Sequence, residues 1–278
     1  MTCVLPADID TFAHDGVVAV RGLVGPDLLA RLREAVDRAM ASPGPMALDF
    51  NDRGTPGRFF GDMFMWRRDP DFRAAFFESD APAVAGALMR AAHVHLFYDQ
   101  IFAKEPFTPQ PTPWHQDSPY WPVTGEMLAT AYLALDPIDA GNGAVEYVAG
   151  SHRWGGDYAP APFREGGREA RRYVKSPLPP LPDIAAMRER LDLRRFDLEP
   201  GDAVLFHGRL IHGAGGNPGP RRRRSVALRL AGDDVRWRPH SGTFRPLAKA
   251  GLAAGAPLSG PLFPILWRTG TGRAQASS

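Results

Sequence analysis

Cysteine is all but missing from this 278-residue chain: Cys3 stands alone, so no disulfide can close within it and nothing argues for secretion. No apolar run approaches the length of a membrane span, and the opening MTCVLPADID lacks the basic-then-apolar pattern of a signal peptide. Neither sign of charge prevails. The 33 basic side chains against 31 acidic ones leave a net charge of +2, which makes no general case for nucleic acid or a membrane surface as partner. Internal repeats and low-complexity linkers are absent too. These absences lead to the expectation of a soluble, cytoplasmic, globular protein whose oligomeric state the sequence leaves unknown.

What is present sorts into two characters. Apolar residues make up 44% of the chain, enough to bury a sizeable core, and the 29 glycines and 28 prolines are spread out, which implies many turns. The first third reads as mostly helical. PDLLARLREAVDRAM (26–40) places Leu28, Leu29, Leu32, Val36 and Met40 on one stripe behind a Pro26 suited to a first turn. The stretch 69–91 reads as two helices, with Pro82 starting the second, and VVAV (17–20) as a short extended piece. Beyond it, HLFYDQIFAK (95–104), LATAYLALD (128–136), GAVEYVAG (143–150), DAVLFHG (202–208) and SVALRLAG (225–232) are rich in strand formers and bounded by turn residues. The expected organisation is one domain over 1–278: a helical part to about 92, a β core from about 93 to 238, and a C-terminal extension from 239. Mainly β with flanking helices is the expected class, as an antiparallel sandwich or small barrel. The connection 151–195 is long, polar and arginine-rich, which suggests functional cover.

Within PTPWHQDSPYWPV (111–123), His115 and Asp117 stand two apart, so on an extended segment both point to one side. An H-x-D triplet by itself recurs by chance, and most isolated cases are a hydrogen-bonded pair or plain surface. A third partner changes its weight. His212, in HGRLIHGAGGN (207–217), ends a strand and is followed by Gly213, Gly215 and Gly216, which allow a sharp turn and close packing. Two imidazoles and one carboxylate would occupy one face of an octahedral ion and leave the other positions open, as suits non-haem Fe(II). Eleven residues on, RRRRSVALRL (221–230) runs into a strand that puts Arg223 and Ser225 on one face. A planar guanidinium can hold a carboxylate through two parallel hydrogen bonds, and a hydroxyl can add a third donor. A dicarboxylate chelating the metal at one end could be gripped by Arg223 at the other.

HQD at 115–117, LIHG at 210–213 with its following GGN, and Arg223 at that spacing resemble the phytanoyl-CoA dioxygenase family. IFAKEP (101–106), NGAVEYVAGSH (142–152) and EPGDAVLFH (199–207) extend the likeness over about His95 to Asp234, while the tail after about 235 adds little. The resemblance implies a double-stranded β-helix, Fe(II) held by His115, Asp117 and His212, and 2-oxoglutarate as co-substrate on Arg223 with help from Ser225. O2 would be the oxidant, and ascorbate an addition in vitro. It further implies Lys104, Tyr132 and Trp121 near the co-substrate. The implied reaction is hydroxylation of a C–H bond in a small or medium organic molecule, with release of succinate and CO2. Asp117 disfavours halogenation, since related halogenases have a small residue there. Desaturation, cyclisation, epimerisation or a silent ligand-binding barrel remain the alternatives.

Other residues carry weaker signals. Tyr98, Trp114 and Tyr120 are candidates for lining a substrate pocket, with core packing as the competing reading. Arg229 continues the alternation from Arg223 and Ser225, so it is expected to point inward toward a substrate anion or a structural acid. RFFGDMFMWRR (58–68) could line an entrance, although a hydrophobic anchor is preferred. His93 and His95 form H-x-H without an acidic partner, His207 and His152 read as structural, and His14 and His240 lack context.

Overall fold

A computed structural model describes residues 4–51, 54–160, 162 and 176–273. Cys3 and most of the arginine-rich middle of the 151–195 connection lie outside the described residues. Fifteen strands are described: β1 (Val17–Val20), β2 (Leu48–Asp49), β3 (Phe59–Met63), β4 (His93–Lys104), β5 (Thr112–His115), β6 (Val123–Thr124), β7 (Leu128–Ala134), β8 (Val145–Val148), β9 (Leu193–Arg195), β10 (Ala203–His207), β11 (His212–Ala214), β12 (Arg223–Ala231), β13 (Arg236–Trp237), β14 (Ile265–Arg268) and β15 (Gly272–Arg273). The larger antiparallel sheet runs β1-β10-β7-β12-β4-β14-β15, and β2 and β3 join it along β4. A smaller one runs β5-β11-β8-β9, and β6 pairs with β13.

Period-two alternation decides which face each residue serves. On β7 and β12, Ala129, Ala131, Leu133, Val226, Leu228 and Leu230 turn to the helices and join the largest apolar core. Ala134, Val204, Phe206 and Ala227 face the other way and pack with Ala144, Tyr147 and Leu210 from the smaller sheet's side. The two sheets therefore sandwich a second core, and the functional residues lie in that gap.

The helices behave as their sequences indicate. Helix α1 (Pro6–Asp15) starts with proline in its first turn and stops at Gly16, whose φ of +77° favours glycine. Helix α2 (Pro26–Ala41) buries Leu28, Leu29, Leu32 and Val36 against the large sheet. Helices α3 (Pro70–Phe77) and α4 (Ala81–Met89) divide the 69–91 stretch, with Asp69 capping the first by accepting from the Asp71 amide at 2.9 Å.

Two regions differ from the sequence reading. Part of 58–68 is strand: β3 pairs with β4 from Phe59↔Lys104 to Met63↔Gln100, a partner edge that no local pattern announces, while Phe59, Phe60, Met63, Phe64, Met65 and Trp66 are buried, as the preferred reading of a hydrophobic anchor expected. The C-terminal extension is built into the fold. β14 pairs with β4, and Phe244, Leu247, Leu258 and Phe263 share a core with Tyr98 and Trp121. No helix among the described residues is long and apolar enough to cross a membrane.

Candidate active site

The site forms where two strand ends of the smaller sheet meet. His115 closes β5, His212 opens β11, and the two are directly paired across the antiparallel register. Their rings lie 4.2 Å apart between centroids. After His115 the chain leaves the strand, and Asp117 sits at the N-cap of a short turn, Ser118–Tyr120. Its Oδ1 lies 3.7 Å from His115 Nε2. One ligand atom from each of His115, Asp117 and His212 can be chosen so that all lie within 4.8 Å of one another, and all three residues are buried.

Both histidines are oriented by the backbone. His115 Nδ1 contacts the Pro113 carbonyl at 2.8 Å and His212 Nδ1 the Leu210 carbonyl at 2.9 Å. A carbonyl only accepts, so each Nδ1 carries the proton and donates it, which leaves Nε2 with its lone pair as a metal ligand needs. Burial, then the neighbouring His115, pushes His212 down to about 3, so it stays neutral. Burial alone would raise Asp117, but the neighbouring Arg229 charge holds it well below the usual carboxylate range.

Two cavities open on this cluster. The first is lined by His115, His212, Phe102, Tyr132, Tyr147, Phe206 and Arg223 among others. Arg223 is 1% exposed, yet among the described residues no carboxylate pairs with it. One of its nitrogens donates to the Gly143 carbonyl, and its Nε has no partner. Gly143 sits at φ +79°, and a Cβ there would strike the Gly216 carbonyl oxygen, so this close backbone approach requires glycine. The hydroxyls of Tyr132 and Tyr147 are likewise buried without partners. Burial, then the neighbouring Tyr132 and Asp117, pushes Tyr147 well above its ordinary value, so it remains a donor.

The second cavity lies on the Asp117 side, lined by Leu48, Phe50, Met63, Tyr98, Gln100, Tyr120, Trp121, Arg229 and Phe244 together with His115 and Asp117. Here Arg229 hydrogen-bonds Asp117 Oδ2 and Thr130 Oγ1, the latter at 2.6 Å. The Thr130 hydroxyl also reaches Asp117 Oδ2 at 3.2 Å. Asp117 is thus pinned through one oxygen while the other faces His115.

The remaining sequence candidates distribute as follows. Trp121 borders the second cavity, not the one Arg223 lines; its Nε1 donates to Tyr98 Oη at 2.7 Å and its ring lies 5.6 Å from the Arg229 guanidinium. Ser225 shares the inward face with Arg223 but spends its hydroxyl on the Phe102 carbonyl at 3.2 Å. Lys104 is buried beside the first cavity's Arg223 end, its Nζ donating to the Gly215 carbonyl at 2.7 Å and lying 4.4 Å from the Phe59 ring centre. Burial and then Arg223 hold it well below the usual lysine value. Trp114 faces away from the triad into a cluster with Val148, Ile184 and Ile211. Tyr120 sits edge-on to His115 at 5.9 Å. Arg229, read from the sequence as a grip on a substrate anion or partner of a structural acid, has Asp117 as its acid.

Of the other histidines, His95 bonds the Phe263 carbonyl and His207 the Glu126 carbonyl, both at ring-nitrogen distances below 3 Å. Neither joins a ligand cluster among the described residues. Sequence reasoning missed Tyr147, Thr130 and Gln116. Thr130 was open to discovery as the one polar residue of β7 sharing a face with Tyr132. Tyr147 pairs with His212 in register, a relation visible only once β8 and β11 are adjacent. Gln116 ties the turn together: its Nε2 donates to Arg209 O at 2.8 Å and its Oε1 accepts from the Tyr158 amide at 2.8 Å.

Two facing antiparallel sheets with a two-histidine, one-carboxylate cluster between them define the class: a double-stranded β-helix of the metal-dependent oxygenase type. The comparisons make this specific. Residues 12–225 match the phytanoyl-CoA dioxygenase family model, and the chain belongs to the phytanoyl-CoA dioxygenase family. It is 27% identical over 239 residues to the multifunctional dioxygenase prhA of Penicillium brasilianum, covering 81% of this chain and 71% of that one. The non-heme alpha ketoglutarate dependent carbocyclase SnoK from nogalamycin biosynthesis superposes with a TM-score of 0.76 at 20% identity, over 95% of this chain and 98% of the other. The epimerase SnoN, solved with Fe3+, alpha ketoglutarate and nogalamycin RO, gives 0.75 at 20% identity over 93% and 97%. At such identity these two likenesses speak to the fold.

Proposed function

We propose that this protein is an Fe(II)- and 2-oxoglutarate-dependent dioxygenase that hydroxylates a C–H bond of a small or medium organic substrate. The observation that carries the reading is the first cavity. A buried guanidinium with no carboxylate partner, beside two buried tyrosine hydroxyls with no acceptor, is costly unless an anion completes it. His115 and His212 line the same cavity and, with Asp117 beside them, supply imidazole and carboxylate donors suited to iron. A dicarboxylate spanning from metal to Arg223 satisfies both ends, and 2-oxoglutarate is such a molecule.

In this reading His115, Asp117 and His212 hold the metal on one face. When bound, iron, 2-oxoglutarate and O2 supply the oxidising chemistry, with succinate and CO2 as the co-products. The protein's own residues do the rest. The Pro113 and Leu210 carbonyls fix the imidazole tautomers, and Arg229 with Thr130 fixes the carboxylate. Arg223 holds the distal carboxylate, with Tyr132 and Tyr147 as further donors, and Lys104 braces the Gly215 backbone beside it. Phe102 and Phe206 keep the cavity apolar around them. The second cavity presents the substrate from the Asp117 side.

The test is purified protein with Fe(II), ascorbate and 2-oxoglutarate, assayed for succinate. The expected result is turnover that Arg223→Ala abolishes at ordinary co-substrate concentration; 2-oxoglutarate binding that survives Arg223→Ala unchanged would overturn the assignment. Since SnoK and SnoN are named as carbocyclase and epimerase, product mass separates the outcomes. Hydroxylation adds one oxygen, ring closure or desaturation removes two hydrogens, and epimerisation leaves the mass unchanged.

A further inference from the structure

The second cavity contains a side chain that none of the preceding roles absorbs. Gln100 lies on β4, half-buried, with its carboxamide on the cavity wall. Its Oε1 is 3.4 Å from Arg229 Nη2. A guanidinium has only donors, so this neighbour fixes the amide orientation: oxygen toward Arg229, nitrogen away from it. The Nε2 group then lies on the side away from Arg229, in a residue that lines the chamber, and makes no hydrogen bond among the described residues.

The surroundings limit what it can meet. Phe50, Met63, Tyr120, Trp121 and Phe244 give the chamber hydrocarbon and aromatic walls. The one guanidinium there, Arg229, is already neutralised by Asp117. An anionic ligand would therefore enter an apolar space beside a buried carboxylate, with no uncommitted arginine or lysine among the described lining residues to receive it. A purely hydrocarbon ligand would strand the Gln100 N–H donors.

We infer that the chamber takes a neutral, largely apolar ring compound that presents a carbonyl or similar acceptor to Gln100 Nε2, and that Gln100 selects for that acceptor. This rests on the reading of the second cavity as the substrate side of the metal site. A carbonyl held there is anchored beside the triad, because Gln100 contacts the same Arg229 that pins Asp117.

A matched set of probes tests it on the full-length protein: 1-tetralone, a neutral bicyclic ketone; tetralin, the same rings without an acceptor; and tetralin-2-carboxylate, the anion. Dissociation constants are read by saturation-transfer NMR, with and without Co(II) and 2-oxoglutarate. Tetralone is expected to bind about threefold to tenfold more tightly than tetralin, the range for one added hydrogen bond, and at least about tenfold more tightly than the carboxylate. Gln100→Leu is expected to remove the ketone preference. Gln100→Glu, which keeps the shape and the Arg229 contact but has no N–H, is expected to remove it as well. A preference for the carboxylate, a ketone preference that persists in both variants, or no binding of tetralone would overturn the inference. Co(II) and 2-oxoglutarate binding on the same samples reports separately on the metal site, so its failure would sink the proposed activity without touching the ketone preference.

Discussion

Arg223 and Arg229 stand on one strand, six residues apart, on the same inward face, and both are almost fully buried. Their partners could hardly differ more. Arg229 meets a carboxylate, Asp117, and with Thr130 forms a buried network around it. Arg223 meets only a backbone carbonyl among the described residues, so, although the Nε of each is unpartnered, the two differ in having or lacking an acid. In the proposed reading, the buried cation with its acid in place belongs to the scaffold, and the one without an acid is the grip for an incoming anion. Asp99 adds the opposite case. It is a fully buried carboxyl whose Oδ1 has no partner, and burial pushes it up to about 8, whereas Asp117 beside Arg229 stays ionised.

The largest effect is expected from breaking the closed pair. Arg229→Met strands the Asp117 carboxylate and should destabilise the apo-protein by about 3–5 kcal/mol, measured by denaturant unfolding, and loosen the metal site. Unchanged stability would mean that the pair is not the network described.

Asp99 sharpens the contrast through pH. Its folded pKa near 8 exceeds the unfolded value near 3.8, so the folded state binds the extra proton. Stability attributable to this carboxyl is complete below the unfolded value and declines as pH rises toward 8. Asp99→Asn should flatten that decline, gaining on the order of 3 kcal/mol relative to wild type between pH 5 and pH 8, where about three units at ~1.4 kcal/mol each apply at most. Parallel stability–pH curves for the two proteins would refute it.

Arg223→Ala should do the reverse of the Arg229 change. Apo stability should hold, since no carboxylate is stranded, while 2-oxoglutarate affinity falls about 100-fold, or about 2.7 kcal/mol for lost charge-assisted bonds. Equilibrium titration of the metal-loaded protein reads this. Smallest of all, Tyr132→Phe should weaken co-substrate binding about tenfold at most, and Ser225→Ala less than about threefold, because the Ser225 hydroxyl is already committed to Phe102 O. A larger loss from Ser225→Ala would place its hydroxyl on the co-substrate after all.

The legible part of this site was the part encoded by local spacing. His115 and Asp117 lie in one tripeptide, His212 precedes a glycine cluster, and the alternation along β12 fixes the inward face of Arg223, Ser225 and Arg229. What escaped was the partner of each inward group. Asp117 lies beyond the end of β5, at the N-cap of the 3-10 turn Ser118–Tyr120, and its partner Arg229 comes from a remote strand; Trp121 follows that turn and lines the second cavity. Tyr147 depends on the β8–β11 register, and Phe244 on a C-terminal path without periodicity. The fold class was readable from short strands after a helical front. The membership of β3 in the large sheet was not, since FFGDM has an apolar-rich sequence that suits several structures.

The most direct test is a crystal of the full chain grown without oxygen and soaked with Fe(II) and 2-oxoglutarate. The account predicts one metal ion bound by His115 Nε2, an Asp117 oxygen and His212 Nε2, with the far carboxylate of 2-oxoglutarate on Arg223. An ion held elsewhere, or a co-substrate lying away from Arg223, would contradict it.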